Sequence, residues 1–402
     1  KCTDLYICSG EENKNTVWEP DFTYHGFRYV KVSGYNDILT EEDITSVAFY
    51  TDIDKKNTFF SCGNPVVNKI HQNVIACEKS NLHSILTDCP QRNERMAWMN
   101  DATVRFEETP YNFDIGRLFP KVVRDIIATQ RGDGMIADTA PYIVGCRPAD
   151  PVCSSFLVAG LWALMHTGNK EIIEEAYEAF KAWENVLLER SDNYIVNYSH
   201  YGDWASPQGS CVSDEDAKSA VTPGILMSTG YSYYNCKLLA EFAKLLGKEV
   251  DEKYYLQTAD NIKKAFLDKW FDEKTGKVAT GSQACQAFPL WLGIIPKEYK
   301  KKAATVLCED LLKNKYKVTT GNLCSRYIYD ALTESGHIDE AWEIITGEEY
   351  PSLGFMIQNE ATTIWERYEL KKNPGMNSHN HPMYGAVDYW FYAYLCGLKP
   401  TS

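Results

Sequence analysis

The chain has 402 residues, enough for one large domain or two, and a composition of 44% hydrophobic and 24% charged residues, that of a globular protein with a sizeable core. A net charge of −14 with no basic run argues against nucleic acid and anionic membranes as partners, because both rest on clustered Lys and Arg, and it suits a neutral substrate. Ten Trp and 26 Tyr supply flat apolar faces of the kind that stack on sugars, although most of them belong to the core.

Thirteen cysteines are scattered singly with no Cys-x-x-Cys spacing, so neither a zinc site nor a disulfide framework is indicated. Free, mostly buried thiols favour a reducing, cytoplasmic compartment. No apolar run reaches membrane-spanning length and no signal peptide is present; since the chain opens at Lys1 without a Met, as a fragment would, that proves little about location.

In chain order, residues 1–55 read as β. Phe22 to Val32 is rich in aromatic and β-branched residues, ends at Ser33-Gly34 and is followed by a second such run at Ile44 to Thr51. The segment is too short for a self-contained sandwich and is read as the remainder of a larger β domain. Residues 56–402 read as helical. The spacing predicts twelve helices, near 63–80, 101–108, 116–130, 153–167, 170–189, 222–246, 251–270, 282–293, 296–313, 320–335, 338–346 and 380–397. Glycines 168, 247, 276, 293, 321, 336 and 347 punctuate their ends, and short connections make neighbours antiparallel. Six inner and six outer helices close as an (α/α)6 barrel, so the fold class is mainly α, preceded by a short β segment. The irregular polar-aromatic stretches 83–101, 131–152, 196–220 and 355–384 are expected to meet in one pocket at one end of the barrel.

The first of these stretches is the densest. Thr87 to Asp101 packs Asp88, Glu94, Asp101, Arg92, Arg95 and Trp98 into fifteen residues, a mix that is costly to bury and reads as a cleft-lining loop. A Glu held between a ring and other carboxylates can have its pKa raised, as a general acid requires. On residue types alone, a helix-capping loop with a solvated ion-pair network accounts for it better.

The run Asp-Cys-Pro-Gln-Arg-Asn-Glu-Arg-Met-Ala-Trp-Met-Asn-Asp at 88–101 resembles the signature of the α-L-rhamnosidases of glycoside hydrolase family 78, usually Asp-Cys-Pro-Gln-Arg-Asp-Glu-Arg-x-Gly-Trp-x-Gly-Asp. Further along, Ala361-Thr-Thr-Ile-Trp-Glu-Arg367 resembles the family's Ala-Thr-Thr-x-Trp-Glu-Arg, 272 residues separate Glu94 from Glu366, and Trp18 to Val30 resembles the segment that precedes the family's catalytic domain. The (α/α)6 barrel is also the fold that this resemblance implies. It implies inverting hydrolysis of terminal α-L-rhamnose from glycosides or polysaccharides, with Glu94 as general acid and Glu366 as general base. Asp88 and Asp101 would bind sugar hydroxyls and keep Glu94 protonated; Arg92, Trp98 and Trp365 join them as substrate-binding candidates. Asp203 and Trp204, in Gly202-Asp-Trp204, match the motif whose Trp forms an apolar wall against the sugar, and His381, in Asn380-His-Pro-Met-Tyr-Gly385, matches the family's pocket His. Tyr111 to Asp114 is read as support beside the pocket, and Asp133 as a turn residue. His379 and His381 alternate without further ligands at a recognisable spacing, so no metal and no cofactor is indicated.

Departures from the family pattern bear on the sugar. Asn93 replaces an Asp, Ala97 and Asn100 replace glycines, Glu360 replaces a Gly, and the Trp-Gly-Asp-Ala motif is not visible; the nearest stretch is Ala149 to Phe156. Two alternatives therefore stand beside the rhamnosidase: a related inverting α/α-barrel hydrolase for another deoxy or modified sugar, and a non-catalytic carbohydrate-binding descendant.

Overall fold

The computed structural model of the protein describes residues 2–13, 16–54, 58–207, 221–370 and 377–400. After an N-terminal segment the chain is a succession of helices. The first are α1 (Pro65–Ser80), α2 (Met99–Thr103), α3 (Thr109–Asn112), α4 (Leu118–Thr129), α5 (Ser155–Thr167), α6 (Lys170–Glu189) and α7 (Gly224–Leu245). There follow α8 (Glu249–Trp270), α9 (Gln283–Trp291), α10 (Lys300–Lys313), α11 (Cys324–Glu334), α12 (Ile338–Thr346), α13 (Leu353–Gln358) and the single turn α14 (Asp388–Trp390). Two short antiparallel pairs interrupt them, β1 (Ser191–Asp192) with β2 (Ile195–Val196) and β3 (Phe271–Asp272) with β4 (Lys277–Val278).

The helices alternate in burial, and that alternation builds two layers. On α6, Ile172, Ile173, Ala176, Tyr177, Phe180, Trp183 and Leu187 recur at helical spacing along one buried face, and α8 and α10 likewise bury one face each. By contrast α7, α9 and α11 are buried on most sides and form the inner layer. Consecutive helices from α4 to α8 pack on one another, α9 packs on α7, α10 and α11, α12 on α11 and α13, and α1 on α13 and on the segment around α14, so the succession closes into the expected toroid.

Three expectations differ from the structure. Among the described residues of 2–54 no strand pair forms, and Phe22, Tyr29, Val47 and Phe49 stand in solvent. A strand needs a neighbouring strand to take its N–H and C=O groups in succession, and among the described residues the segment finds only isolated partners, such as the Leu82 carbonyl for Thr51 N–H and a bridge from Asp54 to Phe113. The helix predicted at 101–108 stops at Thr103 as the end of α2, residues 104–108 are turns, and α3 follows with Pro110 in its first turn. The last predicted helix is a 3-10 turn over Met383–Val387, then α14, then a π turn over Phe391–Leu395.

Candidate active site

The loop 87–101 links α1 to α2 and closes on itself before it reaches the cleft. Asp88 N–H donates to the Met96 carbonyl at 2.9 Å, and Met96 N–H donates to Asp88 Oδ1 at 2.8 Å, which pins both ends of the run that carries Glu94. Just beyond, Met99 N–H donates to the Asp138 carbonyl and Ala140 N–H to the Ala97 carbonyl, so the loop is zipped to 138–140. Trp98 then turns back and its Nε1–H donates to Glu94 Oε1 at 3.0 Å.

Glu366 arrives from the other end of the chain. Its N–H donates to the Ser378 carbonyl at 2.9 Å, Ser378 N–H donates to its Oε2 at 2.7 Å, and His381 N–H donates to the Ile364 carbonyl at 2.8 Å. Backbone pairing of 364–366 with 378–381 thus fixes the carboxylate. Arg92 joins the two loops: its guanidinium reaches Glu366 Oε2 at 3.1 Å and Glu94 Oε2 at 3.3 Å. Two such contacts and the width of one guanidinium keep the facing oxygens within roughly 9 Å of each other. The gap is open to solvent at the Arg92 side, where the side chains of Arg92, Glu94 and Glu366 are 41%, 30% and 12% exposed.

Electrostatically the two carboxylates differ. Burial, and then the charge of Asp88, raise the pKa of Glu94, against a smaller lowering by Arg92. Asp88 is itself buried and raised for that reason, and its Oδ2 has no partner among the described residues. His381 Nε2 lies 2.8 Å from Asp101 Oδ1. Burial alone would lower its pKa, but the hydrogen bond and charge of Asp101, with the charges of Glu366 and Asp88, outweigh it and hold the imidazole at about 9. At neutral pH it is an imidazolium. Asp88, Cys89 and Glu94 also bring one donor atom each within 4.8 Å of one another, but burial raises the Cys89 thiol, which favours its protonated, non-ligating form.

An aromatic wall flanks the carboxylates. The ring of Tyr201 meets those of Trp98 and Trp204 edge to face, at 6.0 and 6.1 Å between centroids. Its hydroxyl donates to Asp138 Oδ2 at 2.9 Å, and Asp150 Oδ2 accepts from the backbone N–H groups of His200 and Tyr201. Sequence reasoning missed Tyr201, Asp138 and Asp150. The available signal was the placing of two Asp residues and an aromatic run inside stretches already read as irregular.

The four predicted stretches therefore meet among the described residues; 208–220 and 371–376 lie outside them. Glu94, Glu366, Arg92, Asp88, Asp101, Trp98 and His381 are brought together, with Trp204 next to Tyr201. Asp203 and Trp365 are not presented to the cleft. Asp203 is fully buried, accepts from Gly321 N–H at 2.7 Å and Cys324 N–H at 2.9 Å, and is pushed up to about 6 by burial. It anchors the strip behind Trp204 to the start of α11, an approach so close that a Cβ on Gly321 would lie 2.2 Å from the Asp203 carbonyl. Trp365 is buried and stacks on His379 at 4.2 Å. Tyr111 packs against Tyr389 and Tyr392, and Asp133 caps a turn through Met135 N–H. Two cavities open elsewhere, around Asp54, Phe113 and Ile115 and around Asp54, Phe60 and His71.

Comparison with known proteins identifies the family. The profile described as bacterial alpha-L-rhamnosidase 6 hairpin glycosidase domain matches residues 55–395, and that of the bacterial alpha-L-rhamnosidase concanavalin-like domain matches residues 1–50. An alpha-L-rhamnosidase of Streptomyces avermitilis is 30% identical over 99% of this chain and 38% of its own length; one of an Alteromonas species is 32% identical over 95% and 42%. The solved alpha-L-rhamnosidase of Dictyoglumus thermophilum is 40% identical, with a TM-score of 0.88 over 94% of this chain and 42% of that one. The Streptomyces avermitilis enzyme complexed with L-rhamnose is 28% identical, with a TM-score of 0.79 over 88% and 34%. The chain spans about two fifths of the length of the curated relatives it matches. With the six-hairpin profile covering most of its length, the chain belongs to the bacterial α-L-rhamnosidase six-hairpin glycosidase family.

Proposed function

We propose that this chain carries the catalytic centre of an inverting glycoside hydrolase that releases terminal α-L-rhamnose from glycosides or polysaccharides. The observation that carries the proposal is the pairing of Glu94 and Glu366 across one guanidinium-wide gap, with Glu94 raised by burial and by Asp88. Hydrolysis with inversion needs one carboxylic acid to protonate the leaving oxygen and one carboxylate to activate water on the opposite face of the ring, about 6.5–9.5 Å away. Glu94 takes the first role and Glu366 the second. When sugar enters, its ring takes the space that Arg92 spans, Trp98, Tyr201 and Trp204 offer apolar faces, and Asp88, Asp101 and the His381 imidazolium meet hydroxyls. No cofactor is required by these steps, since both proton transfers run through side chains and water. We assign residues 1–55 to the β domain and 56–402 to the catalytic barrel, which the break between the two family profiles supports.

The test is hydrolysis of p-nitrophenyl α-L-rhamnoside, with proton NMR of the first-formed sugar. Inversion gives β-L-rhamnose first. Glu94→Gln and Glu366→Gln should each lower kcat by about 10²–10⁴-fold. Appearance of α-L-rhamnose first would replace the inverting mechanism by a retaining one. Turnover of a fucoside, mannoside or arabinoside without the rhamnoside would assign another sugar to the same machinery, and variants as active as wild type would remove both glutamates from it.

A further inference from the structure

The short N-terminal run Tyr24 to Arg28 touches both carboxylate loops. Arg95, adjacent to Glu94, is left-handed with φ 48°, and its guanidinium donates to the Tyr24 carbonyl at 2.7 Å while lying 5.5 Å from the centre of the Tyr24 ring. Two residues on, Gly26 lies flush against Gln91, where a Cβ would come 2.8 Å from the Gln91 Cβ and 3.1 Å from its backbone. Gln91 donates to Ser378 Oγ at 2.6 Å, and Ser378 N–H donates to the Glu366 carboxylate at 2.7 Å. Arg28 reaches the Glu360 carbonyl and the Thr362 hydroxyl at the long limit of a hydrogen bond, 3.5 Å. Glu360 is left-handed too, with φ 63°.

A non-glycine residue at positive φ costs energy and persists only where its surroundings hold it. Among the described residues of 87–101 and 360–381, Arg95 and Glu360 are the two such residues. They are also the two that this run grips. Each lies on the chain that leads to one of the paired glutamates, and the contact of Gly26 reaches Glu366 through two further hydrogen bonds. We propose that Tyr24, Gly26 and Arg28 are positioning residues, a strap laid across both loops that sets the distance and orientation between Glu94 and Glu366. Its leverage follows from geometry: a displacement of about 1 Å at the reacting groups costs on the order of 10²-fold in rate.

The activity arm of the test rests on the glycosidase reading above. Gly26→Ala, Arg28→Ala and Arg28→Lys are made in the whole chain and assayed on p-nitrophenyl and on alkyl α-L-rhamnosides. Gly26→Ala and Arg28→Ala should lower kcat about tenfold or more, with KM and thermal midpoint close to wild type and Arg28→Lys recovering part of the loss. The loss should be larger on the alkyl glycoside, whose poor leaving group depends more on a well-placed acid. In parallel, amide hydrogen exchange should quicken in 91–96 and 360–366 while α7 stays as protected as in wild type. Unchanged kcat in both Ala variants, or activity that falls only in step with the folded fraction, overturns the strap. If Gly26→Ala does not fold, Arg28→Ala, which removes an exposed side chain, carries the test. Wild-type protein that cleaves no glycoside overturns the functional reading instead, and the exchange measurement then decides on the strap alone.

Discussion

Glu94 sits between neighbours that pull its proton in opposite directions. Asp88 raises its pKa and Arg92 lowers it, so substitutions at the two positions should move the pH profile in opposite senses. The proposed acid works in its protonated form, and kcat/KM therefore falls as pH rises through its pKa. Asp88→Asn removes the raising charge and should bring that falling limb to lower pH; Arg92→Leu removes the lowering charge and should carry it to higher pH. Shifts in the same direction, read from kcat/KM between pH 4 and 9, would assign the limb to another group. His381 gives a second titration, read in stability. Its pKa of about 9 in the fold lies above the ordinary 6.5, so the stabilisation is fully present below pH 6.5 and is lost as pH rises through about 9. The difference in urea midpoint between wild type and His381→Gln should shrink across that window, and a constant difference would mean that Asp101 does not hold the proton. At this scale the signature run was legible because its charged and aromatic residues lie within fifteen positions. Asp138 and Asp150 were not, because a carboxylate that serves buried backbone N–H groups looks, in sequence, like any other Asp in a polar loop.

The α6–α7 hairpin shows an element held by a group that periodicity cannot assess. Glu184 is fully buried on the inner side of α6 with no cation paired to it among the described residues, accepting from Ser232 Oγ at 2.5 Å and Asn235 Nδ2 at 2.9 Å on α7. Burial pushes it up to about 8 from 4.5, so it is largely neutral at pH 7. A raised acid contributes stability that is whole below pH 4.5 and lost as pH climbs through about 8. Glu184→Gln, nearly the same shape and never charged, should therefore melt above wild type at pH 9 and no higher than it at pH 5. The Asn235 Oδ1, buried without a partner, can turn to accept from the new amide. Equal melting curves at both pH values would mean that the hairpin opens to hydrate the charge. Long amphipathic helices such as α6 were legible because a repeated apolar face depends only on spacing. The C-terminal stretch was not: Met383 to Leu395 is apolar or aromatic apart from Asp388, and such a run without periodicity does not tell an α-helix from the 3-10 and π turns it adopts.

Across the whole molecule, the ring is shut where α1 meets the C-terminal residues. His71 Nδ1 lies 2.9 Å from Asp388 Oδ1, and Asn380 exchanges hydrogen bonds with Ser80 and accepts from Asn81. Beside them Arg105 makes a bidentate pair with Glu78, both fully buried, and Asn112 donates to Asp388 at 2.7 Å. The toroid itself was legible from helix count and short connections, but no spacing rule says which polar groups will join its ends. Glu94 follows α1, whereas Glu366 and His381 precede α14, so the cleft lies along a seam between the two extremities of the fold. Such a seam is the last part of a ring to come together. After dilution from denaturant, helical signal should return before activity, and activity should return together with exchange protection of α1; turnover that reappears with the first helical phase would break that order. A half-assembled barrel would thus hold one of the two proposed catalytic glutamates on each loose edge, so the reaction proposed for them would wait until the ring is whole.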